Sequence, residues 1–426
     1  MNVLMLAQLL PFPLDSGGKI KSYHFLKAVA EKHDVTLLSF VRSDEETELA
    51  EHLAQFCERI HTCRLTRSVL RDAKMFAVSL LRRESFIVRR DNALGMHAMV
   101  EQLMASADYD VVHVDHLQMA QFVPENGQTI KVLDEHNVEW RIVERIARSE
   151  PTVARRVLAA LEYPRLRAFE REACGRADYV LTVTEEDRAA LTQLIGGVRR
   201  QGEHPRIETI PIGVDTDYFS YSWQPERRAK CVFVGTMYWP PNVDSVMYFC
   251  RDILPLARPE IPELTFDIVG LRPAKAVLRL EKTCSGVRVA GSVDDVRPYM
   301  AQSRVLVVPL RSGSGMRVKI LNAMATGVPV VTTSIGCEGI DGLVPVREPA
   351  RADANREANV WIADTPQEFA GAVVALTRDD ELSATLSRNG RKLMVEKYDW
   401  GIIRRTILGL YDEIEADLEN RRTAPE

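Results

Sequence analysis

The chain of 426 residues lacks the features of several protein classes. It has no excess of positive charge, since 55 lysines and arginines stand against 60 acids, and its net charge of −5 gives no general affinity for nucleic acid. No uncharged apolar run approaches the roughly 18 residues that a spanning helix needs, so the chain is not expected to be integral to a membrane. No short repeat or low-complexity segment is present. With 46% hydrophobic residues, the chain can form two globular domains of about 200 residues each.

Cysteine is scarce, and its spacing does not indicate a metal site. The seven cysteines are odd in number and never occur as C-x-x-C, which favours neither a disulfide framework nor bound zinc. We expect reduced thiols in a cytoplasmic protein. The first residues, MNVLMLAQLLPFPLD, contain no positively charged segment and run directly into a proline-rich turn. They therefore predict a first strand rather than a signal peptide.

Strand-like and helical segments alternate along the chain, which predicts an α/β fold with parallel sheets. A stretch of mixed composition, residues 213–230, separates two series of strands and reads as a hinge-like linker. The expected strands are 2–6, 35–40, 110–114, 131–133, 179–184 and 207–210, then 231–235, 264–270, 287–290, 305–308 and 328–333. We therefore predict two Rossmann-like, doubly wound halves that face one another across a ligand-binding cleft.

Residues 305–334 read as strand, glycine-rich loop, helix, tight turn and second strand. Gly313 and Gly315 lack Cβ atoms, so the backbone N–H groups of the loop can approach a ligand closely. The helix that follows points its unpaired N–H groups and its positive dipole end at the same place. This arrangement predicts an anion-binding unit, and an ordinary βαβ crossover is the alternative.

The helix of this unit carries cations at its start. Arg317 and Lys319 add formal charge near the glycine-rich loop, and Asn322 lies one turn later on the face of Lys319. Leu321 falls at a spacing that suits burial against the sheet. If the unit is only a crossover, the two cations are simply solvated.

A second candidate region follows the first strand. Gly17 and Gly18 stand between that strand and a helix that is expected to open at Lys19. The backbone can approach a phosphate or a sugar at such a position. A Gly-Gly turn is also required in many α/β loops for conformational reasons, which is the alternative.

Histidines follow two other strands of the first half. His113 ends a buried strand, Asp115 points to the same side, and His116 comes next. For His113 a hydrogen-bonded structural role is the alternative. His136 follows the next strand and is the better candidate for contact with a reacting hydroxyl.

Other acidic residues are interpreted structurally. Asp108 with Asp110, and Asp215 with Asp217, are expected to be turn or cap residues, so no metal is predicted. Glu170 is expected to pair with a neighbouring arginine.

Residues 64–90 are strongly basic in an acidic chain. They carry eight lysines and arginines against two acids, with apolar residues interleaved. This pattern predicts a basic amphipathic surface that rests on anionic lipids at the inner face of the plasma membrane. A solvated helical face and a surface for another protein are the alternatives.

The motifs also occur in a familiar order. Over nearly its whole length the chain resembles the GT-B enzymes of glycosyltransferase family 4. The segments that carry the resemblance are PxPxxxGG at 11–18, ADYVLTVTEED at 177–187, IPIGVDTDYF at 210–219, FVGTMYWPPNVDSV at 233–246, FDIVG at 266–270, VRVAGSVDDVRPY at 287–299 and KILNAMATGVPVVTT at 319–333. WPPNVDS and GSGMRVKIL are most similar to bacterial sugar transferases of exopolysaccharide systems.

The resemblance implies a retaining, metal-independent, hexosyltransferase-like enzyme. It implies that residues 1–212 bind a glycan or lipid-linked acceptor, that residues 231–398 bind a nucleotide-sugar donor, and that a terminal helix at 399–420 crosses back to the first domain. No cofactor is expected, because the nucleotide-sugar is a substrate. The residues expected at the donor are Gly17, Gly18, Gly235, Gly313, Gly315, Arg317, Lys319, Leu321 and Asn322. Those expected at the acceptor are His113, His116 and His136, and the catalytic set is His136, Arg317 and Lys319.

Two departures from the family pattern leave alternatives open. The family has two glutamates eight positions apart where this chain has Ser314 and Asn322. The segment GTMYWPPNVDS also lacks basic residues, which leaves Arg317 and Lys319 to neutralise a diphosphate. A non-catalytic GT-B-like protein that binds a nucleotide or a glycan is one alternative, and a sugar-nucleotide epimerase is the other.

Overall fold

The computed structural model describes residues 1–124, 129–149, 152–196, 205–224, 229–313, 315–347 and 356–423. The chain divides into two compact units. Unit 1 comprises Met1–Pro211 and Arg404–Glu426, and unit 2 comprises Ile212–Ile403. Each unit contains one seven-stranded parallel sheet, which confirms the predicted α/β class with two Rossmann-like halves.

Unit 1 begins the alternation of strands and helices. Its strands are β1 (Asn2–Ala7), β2 (Asp34–Val41), β3 (Arg59–Arg64), β4 (Val111–Asp115), β5 (Ile130–Asp134), β6 (Tyr179–Thr182) and β7 (Arg206–Thr209). Its helices are α1 (Gly17–Val29), α2 (Asp44–Leu49), α3 (Val69–Arg82), α4 (Phe86–Arg90), α5 (Leu94–Ser106), α6 (Glu139–Ser149), α7 (Val153–Arg176) and α8 (Glu185–Ile195). The strands lie in the order β3-β2-β1-β4-β5-β6-β7.

Unit 2 repeats the plan. Its strands are β8 (Lys230–Val234), β9 (Thr265–Val269), β10 (Val287–Gly291), β11 (Val305–Val308), β12 (Val330–Thr332), β13 (Pro345–Val346) and β14 (Val360–Ile362). Its helices are α9 (Pro240–Tyr248), α10 (Leu254–Ala257), α11 (Lys275–Thr283), α12 (Arg297–Ala301), α13 (Val318–Thr326), α14 (Pro366–Arg378) and α15 (Asp380–Leu393). The strands lie in the order β10-β9-β8-β11-β12-β14-β13. The last helix, α16 (Trp400–Thr423), begins in unit 2 and continues in unit 1.

The strand order fixes where ligands can bind. In each sheet the chain winds outward from a central strand and then returns to add strands on its other side, at β1/β4 and at β8/β11. In open α/β sheets, ligands bind beyond the carboxyl ends of the strands at such a switch point. The central strands are buried on both faces, as their continuous apolar runs predict.

The sequence predicted eleven strands, and all of them are present. It missed β3, β13 and β14. Strand β3 lies at the edge of its sheet and reads RIHTCR, so it lacks the apolar run of a central strand. Strand β13 has two residues and β14 has three, which is too short for any periodic pattern.

The terminal helix α16 is anchored in unit 1. Ile407, Tyr411 and Ile414 are buried, and Arg404 forms an ion pair with Glu31. Where the chain passes between the units, two stretches of unit 2 pair with one another. The N–H of Val214 donates to the carbonyl of Tyr398, and Trp400 donates to Val214 in return.

Two general features follow from the described residues. None of their helices is both long and apolar enough to cross a membrane. All seven cysteines are free thiols, and five of them are buried.

Close backbone packing at the ends of β8 and β9 generates a test. A Cβ atom on Gly270 would lie 1.7 Å from the carbonyl oxygen of Gly235, and Gly270 has a φ of +154°. We expect Gly270→Ala to lower the free energy of unfolding by at least about 3 kcal/mol, because both the contact and the φ are incompatible with a side chain. Urea unfolding monitored by circular dichroism measures the change.

Gly371 provides the matched control. It lies within α14, and nothing lies within 4 Å of the position that its Cβ would occupy. Gly371→Ala should therefore raise stability by about 0.5–1 kcal/mol. Equal unfolding midpoints for the Gly270 variant and the wild type would contradict the close packing.

Candidate functional site

The glycine-rich loop of unit 2 and the start of α13 form the first polar cluster. Gly313 and Gly315 have φ angles of +131° and +76°, which favour glycine. The Arg317 guanidinium covers Gly313, since a Cβ there would lie 2.9 Å from Nη2, and Arg317 Nη1 donates to the carbonyl of Gly315 at 2.7 Å. The first N–H groups of α13, which begins at Val318, have no partner within the helix. The predicted loop and cation thus lie together at a helix N-terminus.

Lys319 is held one residue further along, beside the end of β8. Its Nζ donates to Asn242 Oδ1 at 2.9 Å and lies 3.9 Å from the centre of the Phe233 ring. A Cβ on Gly235 would lie 2.7 Å from this Nζ, so only glycine leaves room for the ammonium group. Burial, with a smaller contribution from the charge of Arg317, holds the pKa of Lys319 well below its usual range. A bound anion would offset both the cost of burying the ammonium group and its repulsion by Arg317, so the electrostatics favour an anionic ligand here.

Asn242 is a residue that sequence reasoning missed as a site residue. It follows the two prolines that open α9, and its Nδ2 donates to the carbonyl of Thr236 at 3.0 Å. Its amide therefore links the turn after β8 to the side chain of Lys319. The signal was available in WPPNVDS, but it was used only for the resemblance.

The remaining donor-side predictions fall in different surroundings. Asn322 is half-buried, one turn beyond Lys319. The side chain of Leu321 is fully buried in the core, so any contact with a ligand does not come from it. Ser314 lies outside the described residues.

A buried carboxylate organises the second cluster, in unit 1. Asp115, at the end of β4, is fully buried and accepts hydrogen bonds from Ser22 Oγ at 2.9 and 3.0 Å. It also interacts with His136 Nε2 at 2.8 Å and with His116 Nδ1 at 3.1 Å. One side chain therefore joins α1 to the ends of β4 and β5.

The two imidazoles present their other nitrogens to the start of α1. Their rings stack with centroids 3.8 Å apart. A Cβ on Gly18 would lie 3.3 Å from His116 Nε2 and 3.5 Å from His136 Nδ1. The helix begins at Gly17, two residues before the predicted start at Lys19, so both glycines belong to its first turn. The structure therefore brings Gly18, His116 and His136 together, with Gly17 next in the chain, and a side chain at 18 would crowd the two imidazoles.

A second buried carboxylate, that of Asp134, also lies close to His136. Asp134, at the end of β5, forms a fully buried ion pair with Lys21 of α1. Its Oδ2 lies 3.8 Å from His136 Nε2. Lys21 and Ser22 give no signal in the sequence, because a lysine and a serine in the first turns of a helix resemble ordinary surface residues.

The surroundings shift the pKa values of His116 and His136 in opposite directions. Burial lowers the pKa of His136 to about 4, and the charge of His116 acts in the same direction. Burial also disfavours charge on His116, but the Asp115 carboxylate outweighs it and raises the pKa of His116. The pKa of Asp115 lies well below its usual range, because the two histidines outweigh its burial. At neutral pH His136 is therefore neutral, and of the two imidazoles His116 is the one that holds a proton more readily.

The tautomer of His136 follows from its partners. Because the Asp115 carboxylate can only accept, His136 Nε2 carries the proton and donates it. Nδ1 then holds a lone pair, and it is buried without a hydrogen-bond partner among the described residues. An unpaired buried acceptor is costly, so Nδ1 suits a ligand hydroxyl.

His113 lies on the other side of Asp134, whose Oδ2 is 3.9 Å from His113 Nε2 and 3.8 Å from His136 Nε2. It is 1% exposed, its Nδ1 lies 3.1 Å from the Tyr411 hydroxyl of α16, and its ring lies against Phe25. Burial lowers its pKa. This is the hydrogen-bonded structural arrangement that the sequence left open as the alternative to acceptor binding.

Asp115, His116 and His136 also have the composition of a metal site. One ligand atom from each lies within 4.8 Å of the others. In the described arrangement both oxygens of Asp115 already accept hydrogen bonds. The expectation that no metal is required stays a prediction.

Two interpretations of acidic residues have different outcomes. Glu170 is fully buried and accepts the N–H groups of Glu139 and Trp140 at 3.0 and 2.9 Å. It therefore caps α6 instead of pairing with an arginine, and that expectation was wrong. Asp215 accepts the N–H groups of Asp217 and Tyr218, which confirms its predicted role in a turn.

Residues 228–379 match the model of the family described as glycosyl transferases group 1. A protein of Klebsiella pneumoniae, described as an uncharacterized 44.6 kDa protein in the cps region, is 18% identical over 400 residues, which are 91% of this chain and 94% of that protein. Phosphatidyl-myo-inositol mannosyltransferase of Mycobacterium leprae is 27% identical over 220 residues, which are 48% of this chain. The chain spans about half of that second relative, 53% of its length.

Solved structures share the whole architecture. HepE of Anabaena in complex with UDP-glucose superposes with a TM-score of 0.63 at 14% identity, over 97% of this chain and all of that one. WaaG, a glycosyltransferase involved in lipopolysaccharide biosynthesis, superposes with a TM-score of 0.61 at 16% identity, over 96% of this chain and 98% of its own. The resemblance noted in the sequence is confirmed. The chain has the GT-B fold of glycosyltransferases, and its residues 228–379 match the family model of the group 1 glycosyl transferases.

Proposed function

We propose that the protein is a retaining, metal-independent glycosyltransferase. It moves a hexose from a nucleoside-diphosphate sugar to a glycan or lipid-linked acceptor in bacterial exopolysaccharide or cell-surface glycan synthesis. The observation that carries the proposal is the anion cradle formed by Gly235, Gly313, Arg317 and Lys319 inside the group 1 domain. The bound UDP-glucose of the structurally similar HepE and the cps-region relative support it.

The cradle acts on the departing diphosphate. Breaking the bond between the sugar and the phosphate places negative charge on the leaving nucleoside diphosphate. Oriented N–H groups at the start of α13, together with Arg317 and Lys319, stabilise that charge without reorganisation. The diphosphate also restores the charged form of Lys319, whose pKa burial had lowered.

The cluster of unit 1 acts on the acceptor. His136 Nδ1 accepts the hydrogen of the reacting hydroxyl, while Asp115 fixes the ring and its tautomer. His116, whose pKa the Asp115 carboxylate raises, and the first turn of α1 stabilise negative charge beside it. No enzymic nucleophile is assigned, and retention follows from attack on the face that the diphosphate leaves.

The two alternatives are separated by one experiment. The full-length protein is incubated with UDP-, GDP- and ADP-sugars, with and without bacterial lipid extracts as acceptor, and the products are followed by NMR. A transferase releases nucleoside diphosphate in an acceptor-dependent manner. Conversion of the donor without an acceptor would indicate an epimerase, and nucleotide binding without any product would indicate a non-catalytic protein.

Removal of either cation tests the cradle. We expect Arg317→Ala or Lys319→Ala to lower transfer by about 10²-fold or more, as loss of one transition-state charge partner does. Release of nucleoside diphosphate measures the rate, and melting temperatures verify folding. Lys282→Ala, in α11 of the same unit, is the matched control and should have wild-type activity. Wild-type turnover in both cradle variants would refute the assignment.

Asn322 generates a second test. Asn322→Glu restores a carboxylate one turn beyond Lys319, where it can accept hydrogen bonds from ribose hydroxyls. We expect the variant to bind nucleoside diphosphate about tenfold more tightly or better by calorimetry, since one charge-assisted bond contributes about 1.5–3 kcal/mol. Asn322→Gln, which keeps the neutral amide, is the control. No gain with glutamate would indicate that this position does not face the ribose.

The histidine pair generates a test by pH. NMR of histidine-labelled protein should show one imidazole, His136, titrating near pH 4 and another, His116, titrating above its ordinary value. Because only neutral His136 accepts a hydroxyl hydrogen, activity should fall as the pH drops towards 4. Asp115→Asn removes the carboxylate and should lower the pKa of His116. Ser22→Ala removes only a neutral donor and should leave the order of the two pKa values unchanged. An unchanged pKa of His116 in the Asp115 variant would contradict the proposed electrostatics.

A further inference from the structure

Helix α3 has its apolar face outward. Leu70 and Leu81 are 84% and 85% exposed, and Leu80 is partly exposed. The exposed positions of α3 are 69, 70, 73, 74, 77, 80, 81 and 82, and most of these recur every three to four residues. They lie on one side of the helix, as this spacing requires.

The inner face of α3 is firmly attached. Arg71 donates to the carbonyls of Arg90 and Asn92, each at 2.9 Å. Phe76 meets Phe86 of α4 edge to face, with ring centroids 5.4 Å apart. The leucines are therefore exposed on a helix that is held in place from its other side.

Helix α7 exposes a second aliphatic stripe near its start. Val153, Val157, Leu158 and Leu161 are each about half exposed. These residues recur at helical spacing, so they form a continuous stripe along the first two turns. Arg155 and Arg156 are exposed beside them.

A set of hydrogen bonds connects α7 to α4, the helix that follows α3. The Glu162 carboxylate of α7 accepts the hydroxyl of Ser85 and the N–H groups of Phe86 and Ile87, and so caps α4. Glu162 directly follows Leu161, and α3 ends three residues before Ser85. The exposed residues of α3 and those of α7 therefore both lie close in sequence to the contact between Glu162 and the start of α4.

The charge on this surface has one sign. The exposed positions of α3 and residues 152–161 of α7 contain no carboxylate, in a chain with 60 acids. They contain four cations, which are Lys74, Arg82, Arg155 and Arg156, and Arg83 follows α3 next to Glu84, which pairs with Arg89. Aliphatic residues with interleaved cations are typical of helices that lie in a membrane interface. Protein interfaces instead are enriched in tyrosine and tryptophan, and neither occurs among these exposed positions.

We infer that α3 and the first half of α7 form one docking surface for an anionic lipid bilayer. Its leucines and valines enter the headgroup region, and its lysine and arginines contact lipid phosphates. The inference extends the contact expected of residues 64–90 to a second helix, and it does not depend on the catalytic residues. It also deepens the proposed function, because such a surface would bring unit 1 to a lipid-linked acceptor.

Vesicle co-sedimentation of the full-length protein tests the lipid chemistry. We expect binding to vesicles of phosphatidylethanolamine and phosphatidylglycerol, weakening as salt is raised, and little binding to phosphatidylcholine. Arg82→Gln with Arg83→Gln should lower the partition coefficient about 25-fold, at about fivefold per charge. Equal binding to neutral and anionic vesicles, or no binding to either, would overturn the inference.

The contribution of α7 is tested separately. Leu70→Gln with Leu81→Gln, and Val157→Gln with Leu161→Gln, should each lower binding at least tenfold. Leu256→Gln with Leu278→Gln is the matched control, since these leucines of unit 2 are 43% and 46% exposed. Melting temperatures verify folding, and Arg155→Glu with Arg156→Glu tests the same helix through wholly exposed residues.

Two outcomes would contradict the two-helix surface. If the α7 variants bind as the wild type does, α7 is not part of it. If the variants abolish self-association in solution instead of vesicle binding, the surface is a protein interface. UDP binding, measured by thermal shift, should be unchanged in every variant, so failure here is distinguishable from failure of the proposed function.

Discussion

A carboxylate buried without water needs several donors, and the candidate acceptor site depends on how Asp115 obtains them. Its donors come from three parts of unit 1: Ser22 in α1, His116 after β4 and His136 after β5. The same contacts that satisfy the charge also orient the two imidazoles. The Asp115 carboxylate therefore does two things at this site: it connects α1 to the ends of β4 and β5, and it acts to raise the pKa of both imidazoles against the effect of burial.

The polar cluster of unit 2 is built around cations instead of a buried carboxylate. Lys319 is held by the amide of Asn242 and by the face of Phe233, neither of which carries a formal charge. Among the described residues these two are the partners of the Lys319 ammonium group, and a cation with neutral partners, next to Arg317, favours an anion more strongly than one that is already paired. Asp115 is therefore compensated by its neighbours in unit 1, whereas Lys319 in unit 2 has no carboxylate partner among the described residues. This difference fits a division of labour between a hydroxyl-binding site and a diphosphate-binding site.

The sequence predicted the fold well because both sheets are parallel and buried. Runs such as Val305–Val308 indicate central strands without knowledge of any partner. The sequence predicted the parts of the candidate site that form one local pattern, such as the glycine-rich loop and its two cations. It did not predict the parts that depend on contacts between residues far apart in the sequence. Lys21 meets Asp134 across 113 positions, and Asn242 meets Lys319 across 77. For His113, only the position of Tyr411 in the last helix reveals that the ring is structural.

The pairing of Val214 with Tyr398 and Trp400 has a topological consequence. Unit 2 is one uninterrupted stretch, Ile212–Ile403, and Val214 near its start pairs with Asp399 near its end. Unit 1 is made of two pieces, and α16 completes it only after the whole of unit 2 has been synthesised. The architecture is that of a domain inserted into another near its end. Insertions whose termini adjoin are the kind that recombination can exchange as a cassette. Replacement of this one continuous segment would change unit 2 and leave the sequence of unit 1 intact.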